Sequence, residues 1–440
     1  MVTARRSTRF RRRAARGFTL IELLVALTGG LFVAIAVFAM ARDATRFYQR
    51  EGRLANATLA AVVGFERLRA DVARAGFLAS PNIQADPLVC NRPSVGAPSR
   101  LLNLASVWVG TGASGSPSNS VLNTYLSSTP GGRAHALVLT GSYSSPDEFP
   151  VRLIAPLGTD GSDGFGVYLQ LGSGALARLG WGAATTDAQK VTLLTPIFAP
   201  GRVLRLVDKE GRAQYGVIGQ VSIDAANHEP FIKLNPTPAL VFRYGQSRLC
   251  GFKGNETGAS ANVVNFIRYD LRNLSTASMF SGTTKYASLY TSSTNAALTN
   301  IEANRTELVR TELDANDNPL TVNGVNLEEL VAEYAVDFRV GVGAVSSAPS
   351  SEPTLVQLDE GDSGFQTYTT TPSAGGTPQR LRSLRVRLSV RSREGDRDER
   401  SFAGGLYRVG LGSNGAAPFA RVRTLQADVM LNNNANVQTW

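Results

Sequence analysis

From Phe18 to Ala41 the chain is apolar with one charged exception, Glu22, and no other stretch of the 440 residues compares with it. A helix rises about 1.5 Å per residue, so about 20 such residues cross the hydrocarbon core of a bilayer. The run is long enough to be a membrane anchor. Ahead of it, residues 1–17 hold seven arginines (Arg5, Arg6, Arg9, Arg11, Arg12, Arg13 and Arg16) and no acid. Basic residues stay on the inner side of a membrane, which places the leader inside and the bulk of the chain outside. Most of the net charge of +10 therefore belongs to the leader, and it is no argument for a nucleic-acid partner.

Glu22 is the informative residue of the run. A carboxylate inside a membrane segment costs a few kcal/mol unless something compensates it. A cut after Gly17 would make Phe18 the first residue, with a positive amine. Phe18 and Glu22 are four residues apart and so share a helix face. The amine can pair with Glu22 of its own chain or of a neighbour alongside, and in a low dielectric such a pair helps to set register between helices.

Gly17-Phe18-Thr19-Leu20-Ile21-Glu22 resembles the class III signal of type IV pilins and type II secretion pseudopilins. The resemblance implies cleavage between Gly17 and Phe18 by the prepilin peptidase and N-methylation of Phe18. It also implies that Glu22 guides docking into a growing filament. Two other targeting readings fit less well. Ala39-Met40-Ala41 has the form of an ordinary signal-peptidase site, but the apolar run before it is too long and contains Glu22. Arg5-Arg6 is followed by no twin-arginine consensus.

The helix is expected to continue beyond the membrane, over 18–76, a length of roughly 90 Å. Between Asp43 and Gly76 there is no proline, and the interior glycines are Gly52 and Gly64. Phe47, Leu54, Ala61, Phe65, Leu68, Val72 and Ala75 fall at spacings of three, four or seven, an apolar stripe. Arg50, Glu51, Arg53, Glu66, Arg67, Arg69, Asp71 and Arg74 are assigned to the other faces, and Gly76 to a C-cap. The helix end Phe65–Gly76, FERLRADVARAG, followed by Phe77, resembles that of PilW-type minor pilins.

Residues 77–440 read as mostly β. Short apolar or alternating runs bounded by turn residues are Ala136–Thr140, Val151–Ile154, Val203–Val207, Gly216–Val221, Ala239–Tyr244 and Val263–Tyr269, with a hairpin expected at Lys209–Arg212. Leu384–Arg391 alternates strictly. Leu384, Val386, Leu388 and Val390 are expected on the helix stripe, and Arg385, Arg387, Ser389 and Arg391 on a solvated face. Leu327–Val340 together with this strand resembles the C-terminal half of PilW-like proteins. Gly110–Gly132, Gly158–Gly174 and Gly341–Arg380, rich in Gly, Ser, Thr or Pro, are read as loop-like insertions. The expected fold class is α+β and pilin-like: a long N-terminal helix on an antiparallel sheet with large loop-rich β insertions. The segments are a leader (1–17), a transmembrane helix half (18–41), an amphipathic half (42–76) and a periplasmic or extracellular domain (77–440).

Chemistry-bearing residues are sparse. His135 and His228 are the two histidines and Cys90 and Cys250 the two cysteines, too few for a Cys/His metal cluster. In an exported chain the cysteines can form one disulfide; the alternative is two buried thiols. Asp160–Gly164 and Asp314–Asn318 resemble fragments of calcium loops but lack the full pattern, and turn chemistry explains them better. No phosphate loop, no basic groove with interleaved aromatics and no hydrolytic motif is present, so no cofactor, nucleic acid or enzymatic activity is expected.

The resemblance implies a minor pilin, PilW-like, that primes type IV pilus assembly in an initiation complex, with a tip position open to it. Its implied partners are the prepilin peptidase, other minor pilins, the major pilin and the inner-membrane assembly platform. Its implied location is the bacterial inner membrane and then the pilus. The alternatives are a J-type pseudopilin of a type II secretion system and a pilus-tip adhesin.

Overall fold

The computed structural model describes residues 19–110, 134–242, 250–252, 258–273, 279, 286, 306–346, 354–392, 406–408 and 419–435. The leader, Gly17, Phe18 and the expected insertion at 111–132 lie outside them. The chain divides into two compact units, residues 1–55 and 56–440. One helix, α1, runs Leu20–Arg74, unbroken because it contains no proline and few glycines.

From Leu20 to Ala41 α1 is apolar on every face apart from Glu22, and its side chains are exposed. In the second unit Ala61, Phe65, Leu68, Val72 and Ala75 of the expected stripe are buried. Gly64 lies so near strand backbone that a Cβ there would come within 2.7 Å of the Val331 carbonyl oxygen. The helix stops at Gly76 (φ +78°), whose N–H donates to the Thr140 carbonyl at 2.7 Å. The Asn433 side-chain amide donates to the Ala75 carbonyl at 2.9 Å and satisfies one of the groups a helix end leaves free.

Two sheets surround this half of the helix. The strands of the larger are β1 (Val107–Gly110), β2 (Ala136–Gly141), β3 (Phe149–Pro156), β4 (Phe165–Leu169), β5 (Val203–Val207), β6 (Ala213–Ile223), β7 (Pro230–Leu234), β8 (Ala259–Asn273), β9 (Thr306–Leu313) and, after the small hairpin β10 (Thr321–Val322) and β11 (Val325–Asn326), β12 (Glu328–Ala332). A five-stranded sheet is built from β13 (Ala335–Val345), β14 (Leu355–Leu358), β15 (Leu381–Arg391), β16 (Leu406–Arg408) and β17 (Phe419–Met430), in the order β14-β13-β15-β17-β16. All the strand pairings are antiparallel. The architecture is α+β: a long apolar N-terminal helix followed by antiparallel β-sheet.

The larger sheet closes on itself. Ala261 of β8 pairs with Phe149 of β3 and with Leu206 of β5. β3 pairs with β4, β4 with β7, β7 with β6, and β6 with β5. Six strands thus form a closed antiparallel barrel, and closure leaves its strands no open edge there. Phe149, Val167, Phe198, Leu206, Ile218 and Ile232 are among the side chains that fill it. Further along, β8 pairs with β2 and β9 and carries Ile267, Tyr269 and Leu271 into the core shared with the helix.

Several expectations change. Gly158–Gly174 is not a loop, since β4 lies within it and is paired on both sides. Phe165, Val167 and Leu169 alternate inward there, a strand signal that the surrounding glycines obscured. Gly341–Val345 continues β13 rather than opening an insertion. Its glycines make room for neighbours: a Cβ on Gly341 would meet Asp359 Oδ1 at 2.2 Å, and one on Gly343 would meet Ser383 Oγ at 2.1 Å. Of Ala239–Tyr244, only Phe242 is bridged, to Phe252, with 243 and 244 outside the described residues. Pro236 and Pro238 remove donors that a strand entering that stretch would use. The hairpin at Lys209–Arg212 does join β5 to β6, with Val207 opposite Ala213.

The apolar row of β15 (Leu384, Val386, Leu388, Val390) lies in the core that contains the helix stripe. Its arginine row is solvated at Arg385 and Arg387, whose side chains are 30% and 39% exposed, but each is paired with an acid. Arg385 pairs with Asp428 at 3.2 Å, Arg387 with Asp337 at 2.9 Å, and the buried Arg391 stacks over Tyr334 at 4.8 Å. The acids that neutralise the row come from neighbouring strands, which strand periodicity alone does not reveal.

His135 stitches the two sheets together. It is 1% exposed and precedes β2. Its backbone N–H donates to the Phe338 carbonyl at 2.9 Å, and its Nδ1 accepts the Val340 N–H at 2.9 Å. Nδ1 is therefore the acceptor, and Nε2 carries the hydrogen towards Glu360 Oε2 at 2.9 Å. The hydrogen bond from His135, aided by Arg339, holds the Glu360 carboxyl below the usual carboxylate range. A depressed carboxyl pKa adds stability above the unfolded value of about 4.3, and that stability drains away as pH falls through the lower folded value. We expect His135→Gln to lower the urea midpoint at neutral pH. The stability lost between neutral pH and the acid side of the carboxylate range should also be smaller in the variant, because its Glu360 titrates nearer to the unfolded value.

Candidate functional site

Of the residues that carry the processing signal, Thr19, Leu20, Ile21 and Glu22 are at the start of α1. Gly17 and Phe18 lie outside the described residues, so their geometry is not on view. Glu22 is described, and its carboxylate already has a partner in its own chain. Thr19 donates to Glu22 Oε2 from its backbone N–H at 3.0 Å and from its hydroxyl at 2.9 Å, while the Glu22 N–H donates to Thr19 Oγ1 at 3.3 Å. That is a capping box, with Thr19 as N-cap and Glu22 as the third helical residue. Its T-x-x-E pattern was visible in the sequence. The box gives Glu22 a local role besides the pairing expected with the future Phe18 amine.

The box starts a helix whose segment Leu20–Gln49 contains an 18-residue stretch with a mean hydropathy of 2.5 and is long and apolar enough to cross a membrane. Leu20, Ile21, Phe32, Phe38 and Met40 are each at least seven-tenths exposed. A helix apolar all round needs lipid or other helices about it.

The far end of the helix is held by a charged group that periodicity had assigned to solvent. Asp71 is 4% exposed. Its Oδ2 accepts from the Tyr269 hydroxyl at 2.8 Å and from Arg310 Nε at 2.7 Å, and its backbone carbonyl accepts from the Tyr143 hydroxyl at 2.8 Å. Burial first, and then the Asp71 charge, push both phenols above their ordinary range, so they remain neutral donors. Arg74 covers the Tyr143 ring at 5.3 Å and donates to the Ser142 carbonyl at 2.9 Å. An Asp in a run with arginines on both sides looks solvated; only the facing β8 and β9 residues reveal that it is not.

The other sequence candidates lie apart from these. Cys90 and Cys250 are joined as a disulfide with Cα atoms 5.7 Å apart, 160 residues apart in sequence. In the Asp314–Asn318 loop, Asp314 Oδ1 accepts the N–H groups of Asn316 and Asn318 at 2.9 and 2.8 Å, and Asp317 pairs with Arg100 at 2.6 Å. Those carboxylates are committed to a turn and an ion pair. In the first such loop, Thr159–Gly161 forms a single 3-10 turn. Among the described residues, no three His, Cys, Asp or Glu side chains are grouped to share a metal ion.

Residues 12–28 match the prokaryotic N-terminal methylation motif, a type IV pilin-like prepilin signal. No curated protein matches the chain, and no solved structure matches it. The motif marks the chain as a type IV pilin-like substrate of prepilin peptidase, with a helix able to anchor it in a membrane. Proteins with this motif are structural, pilin-like subunits rather than typical enzymes.

Replacing Asp71 with Ala would leave the largely buried Arg310 guanidinium with only the 4.0 Å contact to the half-exposed Glu329. Removing one partner of a buried pair costs about 3–5 kcal/mol. Urea unfolding of the purified chain should show a loss of that order for Asp71→Ala, and a much smaller one for Glu66→Ala, whose ion pair with Arg69 is exposed.

Proposed function

We propose that the chain is a minor pilin, PilW-like, that takes part in priming type IV pilus assembly after prepilin peptidase cuts between Gly17 and Phe18 and Phe18 is N-methylated. The observation that carries this reading is the joining of a prepilin signal to a helix with two different halves. One half is apolar all round; the other is locked under a large β domain by Asp71 and Gly64. The first half suits lateral packing among other helices in a membrane or a filament. The second fixes the domain to that helix, so that inserting the helix delivers the domain as well.

On this reading Glu22 has two successive roles. In the precursor it closes the capping box with Thr19. In the mature chain its carboxylate is also within helical reach of the Phe18 amine, its own or a neighbour's. The leader stays cytoplasmic and the domain faces the periplasm. The partners are other minor pilins, the major pilin and the assembly platform of the inner membrane. A large, many-looped domain suits a subunit present in few copies at an end of the fibre rather than the repeating body.

The intact mass of the mature chain tests the processing step. It should correspond to a start at N-methylated Phe18, and a start at Arg42 would overturn the reading. Deleting the gene should abolish or sharply reduce surface pili, with the protein itself recovered in sheared fibres. Lost protein secretion with normal pili would instead assign the chain to a type II secretion system as a pseudopilin.

A further inference from the structure

Just beyond the apolar run α1 changes character. Residues 42–53, RDATRFYQREGR, hold four arginines against two acids, a net charge of +2. Arg42, Arg46, Arg50 and Arg53 are spaced by four, four and three residues. On a helix of about 3.6 residues per turn, these positions fall within an arc of about 80°. The helix runs unbroken through them, and Arg42 and Arg46 are exposed. Asp43 lies at one edge of the arc, and Glu51 is well outside it. Phe47 and Tyr48, 59% and 75% exposed, stand beside the stripe with ring centroids 6.2 Å apart.

Depth decides what this stripe meets. At about 1.5 Å per residue, Arg42 is about 30 Å along the helix from Glu22, which is the thickness of the hydrocarbon core. With Glu22 at one boundary of the core, Arg42 is at the other, and Arg46, one turn on, is level with the headgroups. Exposed aromatic side chains such as Tyr48 also favour that level. Arginines on the outer side run against the tendency of basic residues to stay inside. The seven of the leader outnumber them and keep the orientation. Like charges four residues apart on a helix repel, so a row of arginines at this spacing is stabilised by anions alongside. A second copy at the same depth brings the same net positive charge instead.

We propose that Arg42, Arg46, Arg50 and Arg53 form a binding stripe for anionic phospholipid headgroups in the outer leaflet of the membrane that the helix spans. Guanidinium groups engage phosphate by paired hydrogen bonds, and repetition over about three turns gathers more than one lipid. The stripe holds the helix at one depth until the subunit leaves the membrane for a filament. This rests on the reading of α1 as an anchor with the domain outside, and adds a lipid partner to it.

The test uses the processed chain, which lacks the leader arginines, reconstituted in mixed phosphatidylcholine and phosphatidylglycerol vesicles. Electron spin resonance of spin-labelled lipids reads which headgroup the protein holds. Labelled phosphatidylglycerol should be preferred over labelled phosphatidylcholine at least about fivefold at low salt, the effect of one arginine near a charged surface. The preference should shrink as salt is raised. Combining Arg42→Gln, Arg46→Gln, Arg50→Gln and Arg53→Gln should remove it, while Arg69→Gln, at an exposed arginine further along α1, should leave it unchanged. No preference in a chain that alkaline carbonate fails to wash from the vesicles would overturn the stripe and leave the anchor standing. A chain that washes off would overturn the anchor and the stripe with it. An unchanged preference in the fourfold variant, with less of it recovered in sheared fibres, would overturn the lipid site and assign the arginines to an acidic neighbouring subunit. Protease added to spheroplasts should digest the domain. A protected domain would overturn its outward orientation and the outer-leaflet placement, without touching the measured preference.

Discussion

β8 contributes to all three hydrophobic cores of the domain, and the rest of the β structure is arranged about that strand. Near its start it is paired by β3 and β5, which makes it a barrel strand; further along it is paired by β2 and β9, which makes it the middle of an open sheet. A strand so enclosed cannot present one face to water. Ala261 and Val263 point into the barrel core, Val264 and Phe266 into a second core beneath the segment 79–104, and Ile267, Tyr269 and Leu271 towards the helix. Its buried asparagines are tolerated because each is engaged. The Asn262 amide donates to the Leu78 carbonyl at 2.8 Å, and Asn265 binds Glu312, which in turn holds Arg202 at 2.7 Å. Buried charges left without such partners would cost several kcal/mol each.

The helix meets a different constraint at each end. Its stretch from Leu20 to Ala41 offers water almost no polar surface, so its backbone groups are satisfied within the helix and its opening N–H groups by the Thr19–Glu22 box. Its last turns meet a polar, enclosed environment in which Asp71, Arg310, Tyr269 and Tyr143 satisfy one another. Sliding this end along β8 and β9 would break those bonds together and drive the Gly64 region into the Val331 carbonyl. The attachment is therefore specific in register as well as firm.

The sequence was most legible where structure is local. The signal, the membrane run and the helix stripe depend on charge order and on spacings within a few residues. Leu384–Val390 and Val203–Val207 likewise show a strand pattern at short range. Barrel closure was not legible, because Phe149 and Leu206 meet Ala261 from more than 50 residues away and neither carries a sign of its partner. Asp71 was misplaced for the same reason, since the tyrosines and the arginine that bury it lie on other elements. Gly341 and Gly343 misled in the opposite direction. Glycine there marks the close approach of Asp359 and Ser383 to a strand, although composition counts it towards a loop.

The two units differ in what they leave unsatisfied. On the outer face of the five-stranded sheet, arginines that look available in sequence are neutralised by Asp337, Asp359 and Asp428 on neighbouring elements. The barrel is filled by its own side chains and by Leu240, Phe242 and Phe252 from the chain between β7 and β8. Among the described residues, the large apolar surface still open is that of α1, from Leu20 to Met40 and again at Leu59, Val62 and Val63. At about 25 cal/mol per Å² of apolar area removed from water, covering even part of that surface outweighs any single exposed ion pair of the domain. Association through the helix is thus favoured by its own surface, and the domain, complete in itself, is free to differ from other proteins that carry the same signal.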